Sequence, residues 1–398
     1  MTSSALSPVT ATPRMTYARA RLWLGISGVG TSVLVASAVL FFDVPSRTLS
    51  TSATQSLLEA LTSLAMVLVL GVAVLFPFDV VGGAILVRAR TPVPLFVARW
   101  LRGASVQFAV WMASAFALMT AARAGGAIAA IVCFVALQSV LALLRAPMAR
   151  LIASFTVVRT PERLREAATL AGLTADRITV LESADEGFVG GWSGFTPGRL
   201  IMPSRWLELP DDALVAALLR RRVTAESGAH LRGVLAAIAW NTLGFVLVLS
   251  RFDANLATAA GLLTMAAGMT MWAFAGVLLL PTPSRVAVIA VDAASARHVA
   301  HAVVLDAIER LDRWQDDEPA RPAGVEAVFH PVPSRTARAA RVEATQREPA
   351  EFSDVRRWHA HHVARHALWL GWATMSPISR AVHCNVGRTA LWAMLPGD

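Results

Sequence analysis

Six apolar segments constrain the fold of this chain more than any other feature. Each is close to the ~20 residues that an α-helix needs to cross the hydrocarbon core of a bilayer. They lie at about 22–42, 61–78, 106–122, 126–144, 233–250 and 257–280. Because hydrophobic residues make up 55% of the chain and charged residues only 16%, we predict a mainly α-helical, polytopic membrane protein with about six transmembrane helices.

The arginines between these segments predict the orientation. They concentrate in residues 1–20, 79–105, 145–230 and 281–398, and positively charged loops stay on the cytoplasmic side of a membrane. We therefore expect a multi-pass protein of the inner or plasma membrane, in contact with the lipid bilayer, with both termini cytoplasmic. The same arginines explain the net charge of +9 without a nucleic-acid partner.

The segment order divides the chain into six regions. We expect a flexible N-terminal tail (1–20), a four-helix membrane region (21–145), a first cytoplasmic part (146–230), a transmembrane hairpin (231–280), a second cytoplasmic part (281–345) and a Trp/His-rich C-terminal region (346–398). Within the first cytoplasmic part, Thr160-Pro161-Glu162 is a helix start. Residues 177–182 and 200–202 have the composition of strands, so this part is predicted to be α+β.

The boundary between this part and the fifth apolar segment has a distinctive order. A short strand, Leu200–Met202, leads through two prolines to an acidic helix start at Asp211 and Asp212. An alanine- and leucine-rich helix follows, with three arginines near its end, and the apolar segment comes next.

This order resembles the HtpX and CAAX-prenyl-protease type of zinc membrane metallopeptidase, over about residues 160–340. In that family the helix carries the HExxH motif, whose two histidines bind zinc and whose glutamate polarises the metal-bound water. A third ligand, a glutamate, follows the next two spans in a motif like SRxxExxxD. Here the five HExxH positions read Arg220 to Thr224, and Val288 occupies the third ligand position, four residues before a matching Asp292.

Other fragments follow the family order. His330-Pro331 precedes a basic helix start at Arg335, and residues 186–191 partly match a family strand. The resemblance implies a small metallopeptidase-like cytoplasmic domain that the last helix pair interrupts.

The residues at the ligand positions differ from the family at every point. Guanidinium groups remain protonated in proteins and cannot bind zinc, and valine has no donor atom. The resemblance thus implies a degenerate site at five positions, with no catalytic residue and no zinc cofactor: Arg220, Arg221, Thr224, Val288 and Asp292. Because three arginines lie together, we expect at least one of Arg220 or Arg221 to pair with Asp292 or Glu226.

The C-terminal region contains a weaker candidate metal site. On a helix, His359, His362 and His366 would share one face, a spacing that could hold a transition metal. A surface or packed helix is the alternative, because no carboxylate or thiolate accompanies them. Tryptophans such as Trp369 suggest contact with the membrane interface, and Cys384 is a weak nucleophile candidate.

Three functions remain open. The first is a catalytically inactive metallopeptidase-like protein that binds membrane-protein or peptide segments, since an extended peptide can add to a sheet edge without zinc. The second is an active membrane peptidase with a non-standard site. The third is a small-molecule transporter, although the apolar segments carry few polar groups, among them Gln107, Gln138 and Asn241.

Overall fold

The computed structural model of the protein describes residues 17–86, 92–152, 155–183, 188–195, 198–315, 318, 320–347 and 359–379. The expected tail up to residue 16, Cys384 and the other C-terminal residues from 380 onward lie outside them. The helices are α1 (Tyr17–Phe41), α2 (Val44–Thr48), α3 (Leu57–Val80), α4 (Val93–Leu143), α5 (Arg145–Ile152), α6 (Glu162–Leu170), α7 (Asp211–Glu226), α8 (Ala229–Arg251), α9 (Ala259–Leu279), α10 (Pro281–Ser295), α11 (His301–Gln315), α12 (Ala323–Phe329), α13 (Arg335–Arg347) and α14 (Val363–Leu370). The strands are β1 (Phe155–Val158), β2 (Ile178–Ser183), β3 (Gly191–Trp192) and β4 (Leu200–Pro203).

Five helices in the described part of the chain are long and apolar enough to cross a membrane: α1, α3, α4, α8 and α9. Leucine, valine and alanine dominate them, and much of their surface is exposed apolar side chain, as in Leu34, Leu70 and Val132. Outward-facing apolar surface of this kind suits a lipid environment. The mainly α-helical, polytopic membrane fold predicted from the sequence is confirmed.

The fourth helix accounts for two of the predicted apolar segments. It has 51 residues, but Gly125 and Gly126 have non-helical backbone angles, and Gly126 has a φ of 66° that glycine adopts without strain. A straight helix of that length would be about 75 Å long. Instead Arg102 Nε donates to the Leu151 carbonyl oxygen at 2.5 Å, so the two halves run back alongside each other. The hairpin predicted around Arg123 is present.

The loops of the helix bundle gather at two ends. Arg123 Nε donates to the Ala257 carbonyl oxygen at 3.0 Å, and the Ala260 amide donates to the Ser50 carbonyl oxygen at 3.3 Å. The contact between the start of α4 and the end of α5 lies at the opposite end. The loops that the sequence assigns to one side of the membrane therefore lie together in space.

A small sheet forms the centre of the α+β domain, by which we mean β1–β4 with α6, α7, α10, α11 and α13. Its order is β1-β2-β4-β3. The central pair β2 and β4 is parallel, with Ile178 opposite Leu200, whereas β1 and β3 pair antiparallel at the two edges. Side chains such as Val180 and Met202 are buried against Leu164 of α6 and Leu218 of α7.

The last helix pair interrupts this domain. Helices α8 and α9 pack against each other and separate α7 from α10. Nevertheless Val291 of α10 and Leu311 of α11 belong to the same apolar core as the sheet, α6 and α7. The interrupted arrangement expected from the resemblance is therefore what the structure has.

The described part of the C-terminal region lies inside the helix bundle. From His361 to Ser379 every residue except Pro377 is buried, and α14 packs against α4, α8 and α9. Trp369 is fully buried and its Nε1 donates to the Leu141 carbonyl oxygen at 3.0 Å. This tryptophan therefore packs against the end of a span, and contact of the C-terminal region with the membrane interface stays a prediction.

Candidate functional site

Helix α7 carries three of the five candidate positions into the protein interior. It starts after Pro210, with Asp211 and Asp212 in the first turn, where carboxylates favour the positive end of a helix dipole. Helix α6 packs against it on one side, and α10 and α11 on another. Because the helix is enclosed, Arg220, Arg221 and Thr224 are all buried.

Asp292 of α10 holds two buried arginines. Arg220 Nε donates to its Oδ1 at 2.7 Å. Arg338 of α13 donates from Nε to Oδ2 at 2.7 Å and from Nη2 to Oδ1 at 2.9 Å. The three side chains are at most 3% exposed. The ion pair predicted between Arg220 and Asp292 thus forms, within what we call the Arg–Asp–Arg triad.

The other two candidate positions lie beside this triad. Thr224 is one turn after Arg220, and its hydroxyl donates to the Arg220 carbonyl oxygen at 2.9 Å. Val288 is fully buried on α10, one turn before Asp292 and therefore on the same helix face. The Arg220–Asp292 contact therefore joins α7 to α10, with Thr224 and Val288 each one turn away from it along their helices.

Arg221 points toward strand β3 and its flanks. Its carbonyl oxygen accepts a hydrogen bond from Trp192 Nε1 at 2.8 Å. Its guanidinium donates to the Val189 carbonyl oxygen at 3.4 Å and lies 5.4 Å from the ring centre of Trp206. Arg221 therefore ties α7 to the edge of the sheet.

Glu226 pairs with neither Arg220 nor Arg221 in the ion pairs that the structure shows. Its carboxylate accepts from Arg222 Nε at 2.7 Å, in an exposed pair one helical turn apart. An exposed pair of this type contributes little to stability. The carboxylate that pairs with Arg220 is therefore Asp292 and not Glu226.

These residues do not fit a zinc ion. Zinc sites are built from cysteine, histidine and carboxylate ligands at about 2 Å. The counterparts here are two protonated guanidiniums, a hydroxyl committed to its own helix and a methyl-bearing side chain. Asp292, which has donor atoms, already binds Arg220 and Arg338.

Sequence reasoning missed Arg338. The basic helix start after His330-Pro331 was recognised at Arg335, but the arginine one turn later makes the buried contact. Its position in the alanine-rich run TARAARVEA is the available signal, because an arginine with small neighbours on a packed helix can reach a buried partner.

The second predicted cluster does not share one helix face. Helix α14 begins only at Val363, and His362 precedes it with a left-handed φ of 56°. The preceding turn is held by α8, since the His361 amide donates to the Ala229 carbonyl oxygen at 3.0 Å and Arg232 Nε to the His359 carbonyl oxygen at 3.0 Å. These contacts override the helical spacing. The described residues contain no group of three or more His, Cys, Asp or Glu positioned to hold a metal.

His366 instead belongs to a buried basic cluster. The cluster comprises Arg145, His230, His361, His362 and His366, each at most 3% exposed. The rings of His230 and His366 meet edge to face at 5.4 Å, and those of His361 and His362 lie 3.9 Å apart. Nothing in the residue pattern groups these five positions, because Arg145 resembles an ordinary cytoplasmic flank of a span.

Burial changes the acid–base behaviour of this cluster. It lowers the pKa of the Arg145 guanidinium to about 9, so the group remains charged at neutral pH. Burial first, and then the charge of Arg145 and the three neighbouring histidines, lower the pKa of His366 well below its ordinary value. His366 is therefore neutral beside a charged arginine.

In comparisons with known proteins, no family profile and no curated protein matches this sequence. Among solved structures, the crystal structure of S. mikatae Ste24p is similar, with a TM-score of 0.64 at 14% sequence identity. The similarity covers 82% of this chain and 86% of that chain. At this identity it concerns the fold alone: the chain has a Ste24p-like fold.

Proposed function

We propose that this protein is a metallopeptidase-like membrane protein without peptidase activity, which binds segments of membrane proteins or peptides. The observation that carries the proposal is the Arg–Asp–Arg triad. A buried carboxylate with two guanidiniums lies where α7 and α10 would have to present zinc ligands. Guanidiniums neither bind a metal nor activate water, and the carboxylate between them is already held by both.

The edge of the sheet supports peptide binding. An extended segment can add to an edge strand through backbone hydrogen bonds, with no catalytic group involved. The two edges differ, because β3 is buried near Arg221 whereas Thr156 and Val157 of β1 are exposed. Strand β1 is therefore the edge at which we propose that an extended segment binds.

A photo-crosslinker at position 157 tests this function. With a defined, fluorescent, extended apolar peptide, Val157 replaced by benzoylphenylalanine should crosslink, and the peptide should remain uncleaved. The matched control is the same substitution at Leu170, an exposed residue of α6. Cleavage of the peptide would contradict inactivity, and equal crosslinking at both positions would contradict edge binding.

Zinc content tests the degenerate site directly. The purified protein should hold less than stoichiometric zinc. The variant Arg220→His, Arg221→Glu, Thr224→His and Val288→Glu should bind about one zinc ion, since it restores two histidines and a carboxylate at ligand spacing. Arg338 keeps its Asp292 partner in that variant.

The control for this restoration is the same variant with Val288 unchanged, which should bind zinc more weakly. Elemental analysis of the folded protein measures the ratio. A restored variant that folds without binding zinc would show that these positions do not derive from a zinc site.

We also propose that both termini face the cytoplasm of an inner or plasma membrane. The support is the arginine distribution and the grouping of loops at two ends of the bundle. Single-cysteine labelling in a variant lacking Cys133 and Cys384 should protect residues near 20, 90, 190 and 340 from an impermeant external reagent. Residues near 50, 123 and 253 should react. Labelling of residue 190 from outside would reverse the orientation.

The alternatives lack a supporting observation in the described residues. The candidate histidines do not form a metal-binding group, and Cys384 lies outside the described residues. Of the polar groups in the spans, Asn241 donates to the Ala367 carbonyl oxygen at 3.1 Å and Gln138 to the Thr242 hydroxyl at 3.2 Å. These contacts join helices, which is a structural role and not a transport pathway.

A further inference from the structure

The buried basic cluster contains a charge that the described residues do not balance. Arg145 is fully buried, and its three guanidinium nitrogens have no hydrogen-bond acceptor there. Both ring nitrogens of His366 also lack a hydrogen-bond partner among the described residues. An unpaired buried charge is among the most costly features that a folded protein can contain.

Carboxylates of the described residues do not supply the missing charge. The buried ones are Asp292 and Glu326. Asp292 is held by the Arg–Asp–Arg triad, and Arg145 forms an ion pair with neither. The Arg–Asp–Arg triad and the buried basic cluster are therefore separate sites: a carboxylate pairs with the arginines of the triad, whereas no carboxylate of the described residues pairs with Arg145.

The cluster offers donors from three directions. Arg145 comes from the junction of α4 and α5, His230 from the start of α8, and His366 from α14. His230 Nε2 already contacts the Gly194 carbonyl oxygen at 2.8 Å, whereas Arg145 and His366 remain open. The planar guanidinium fork can donate two parallel hydrogen bonds to an oxyanion, and imidazole N–H groups can donate others. Arginine is the side chain best suited to binding phosphate or carboxylate in this way.

We propose that the buried basic cluster is a binding site for a phosphate-type oxyanion, with Arg145 as its principal ligand and His366 as a second donor. Arg145 lies two residues after the span that ends at Leu143, and His230 lies in the first turn of the span that begins at Ala229. The site is therefore level with one face of the membrane. The phosphate is that of a free inorganic ion or of an acidic phospholipid headgroup. This inference does not rest on the proposed function.

Thermal unfolding of the full chain in dodecyl maltoside, a phosphorus-free detergent, tests the site. Inorganic phosphate in the millimolar range should raise the midpoint temperature saturably, relative to sodium chloride at equal ionic strength, because a ligand of the folded state stabilises it. A second measurement adds phosphatidic acid to the same micelles in place of inorganic phosphate. A rise with phosphatidic acid alone identifies a lipid headgroup, and a rise with phosphate alone identifies a free ion.

The difference in midpoint temperature between Arg145→Gln and the unchanged protein should change sign when phosphate is added. Without phosphate this variant should unfold at a higher temperature than the unchanged protein, since it removes an unbalanced charge; with phosphate the order should reverse. Arg145→Lys keeps the charge but loses the fork, and should raise the half-saturating concentration about tenfold. His366→Asn should also weaken the response. The control is Arg123→Gln, at the opposite end of the bundle, which should respond like the unchanged protein.

Two results would overturn the proposal. One is the absence of a rise with either phosphate source in the unchanged protein. The other is a phosphate-induced rise in midpoint temperature that is as large in Arg145→Lys and His366→Asn as in the unchanged protein. This second result can be obtained even if Arg145→Gln does not fold.

Discussion

Replacing Asp292 with alanine is expected to lower the free energy of unfolding by about 3–5 kcal/mol. The change removes the carboxylate that binds both Arg220 and Arg338, and all three side chains are buried. Two guanidiniums would then lie in the interior without this counter-charge. Thermal unfolding of the purified protein in detergent, followed by circular dichroism, measures the loss.

The surface pair on the same helix is the matched control. Glu226→Ala removes the carboxylate of Arg222, in a pair whose side chains are 34% and 60% exposed, and should cost less than ~1 kcal/mol. Replacing the whole triad, with Arg220→Met, Asp292→Leu and Arg338→Met, should restore most of the stability, because no charge is left unpaired. A small effect of Asp292→Ala would mean that water reaches the triad.

Replacing Trp369 with alanine is expected to cost about 3–5 kcal/mol. Its side chain is fully buried, packs against Trp372 with ring centres 4.7 Å apart, and donates to the Leu141 carbonyl oxygen at 3.0 Å. Truncation leaves a cavity between α14 and α4. The midpoint temperature in detergent and the rate of limited proteolysis near the C-terminus should both report this loss.

Trp23 of α1, which is 58% exposed, provides the control. Trp23→Ala should change the midpoint little in the same detergent, because its side chain is not part of a packed core. Trp369→Phe should cost less than Trp369→Ala. Both variants lose the hydrogen bond, but phenylalanine keeps much of the side-chain volume. Equal stability of Trp369→Ala and the unchanged protein would show that the C-terminal segment is not integral to the bundle.

The parts of the fold that could be predicted depend on local composition. The positions of the spans follow from the length and apolarity of the segments. The hairpin within α4 was also predictable, because Arg123 separates two apolar segments just before Gly125 and Gly126. The pairing of Arg220 with Asp292 could be predicted from a resemblance in order, since the two helices that carry them flank one hairpin. Charge balance then called for a carboxylate partner, with Asp292 and Glu226 as the two alternatives.

The parts that could not be predicted depend on contacts between distant residues. The histidine spacing from 359 to 366 fits a helix, but hydrogen bonds to Ala229 and from Arg232 hold the first half of it outside α14. Arg145 has the sequence context of a cytoplasmic flank, yet it is buried near His230 of α8 and His366 of α14. Neither outcome is visible in periodicity or composition, because both arise from tertiary packing.

The interruption of the α+β domain by α8 and α9 has a consequence for synthesis. Its core joins Leu164 to Leu311, so nearly half of the domain emerges from the ribosome while the other half does not yet exist. Contacts between residues so distant in sequence form late, and incomplete domains expose apolar surface in the meantime. The two spans between them must enter the bilayer before α10 and α11 can reach α7. Folding of this domain is thereby conditional on correct membrane insertion, and a defect in either span would leave an open, aggregation-prone half-domain outside the membrane.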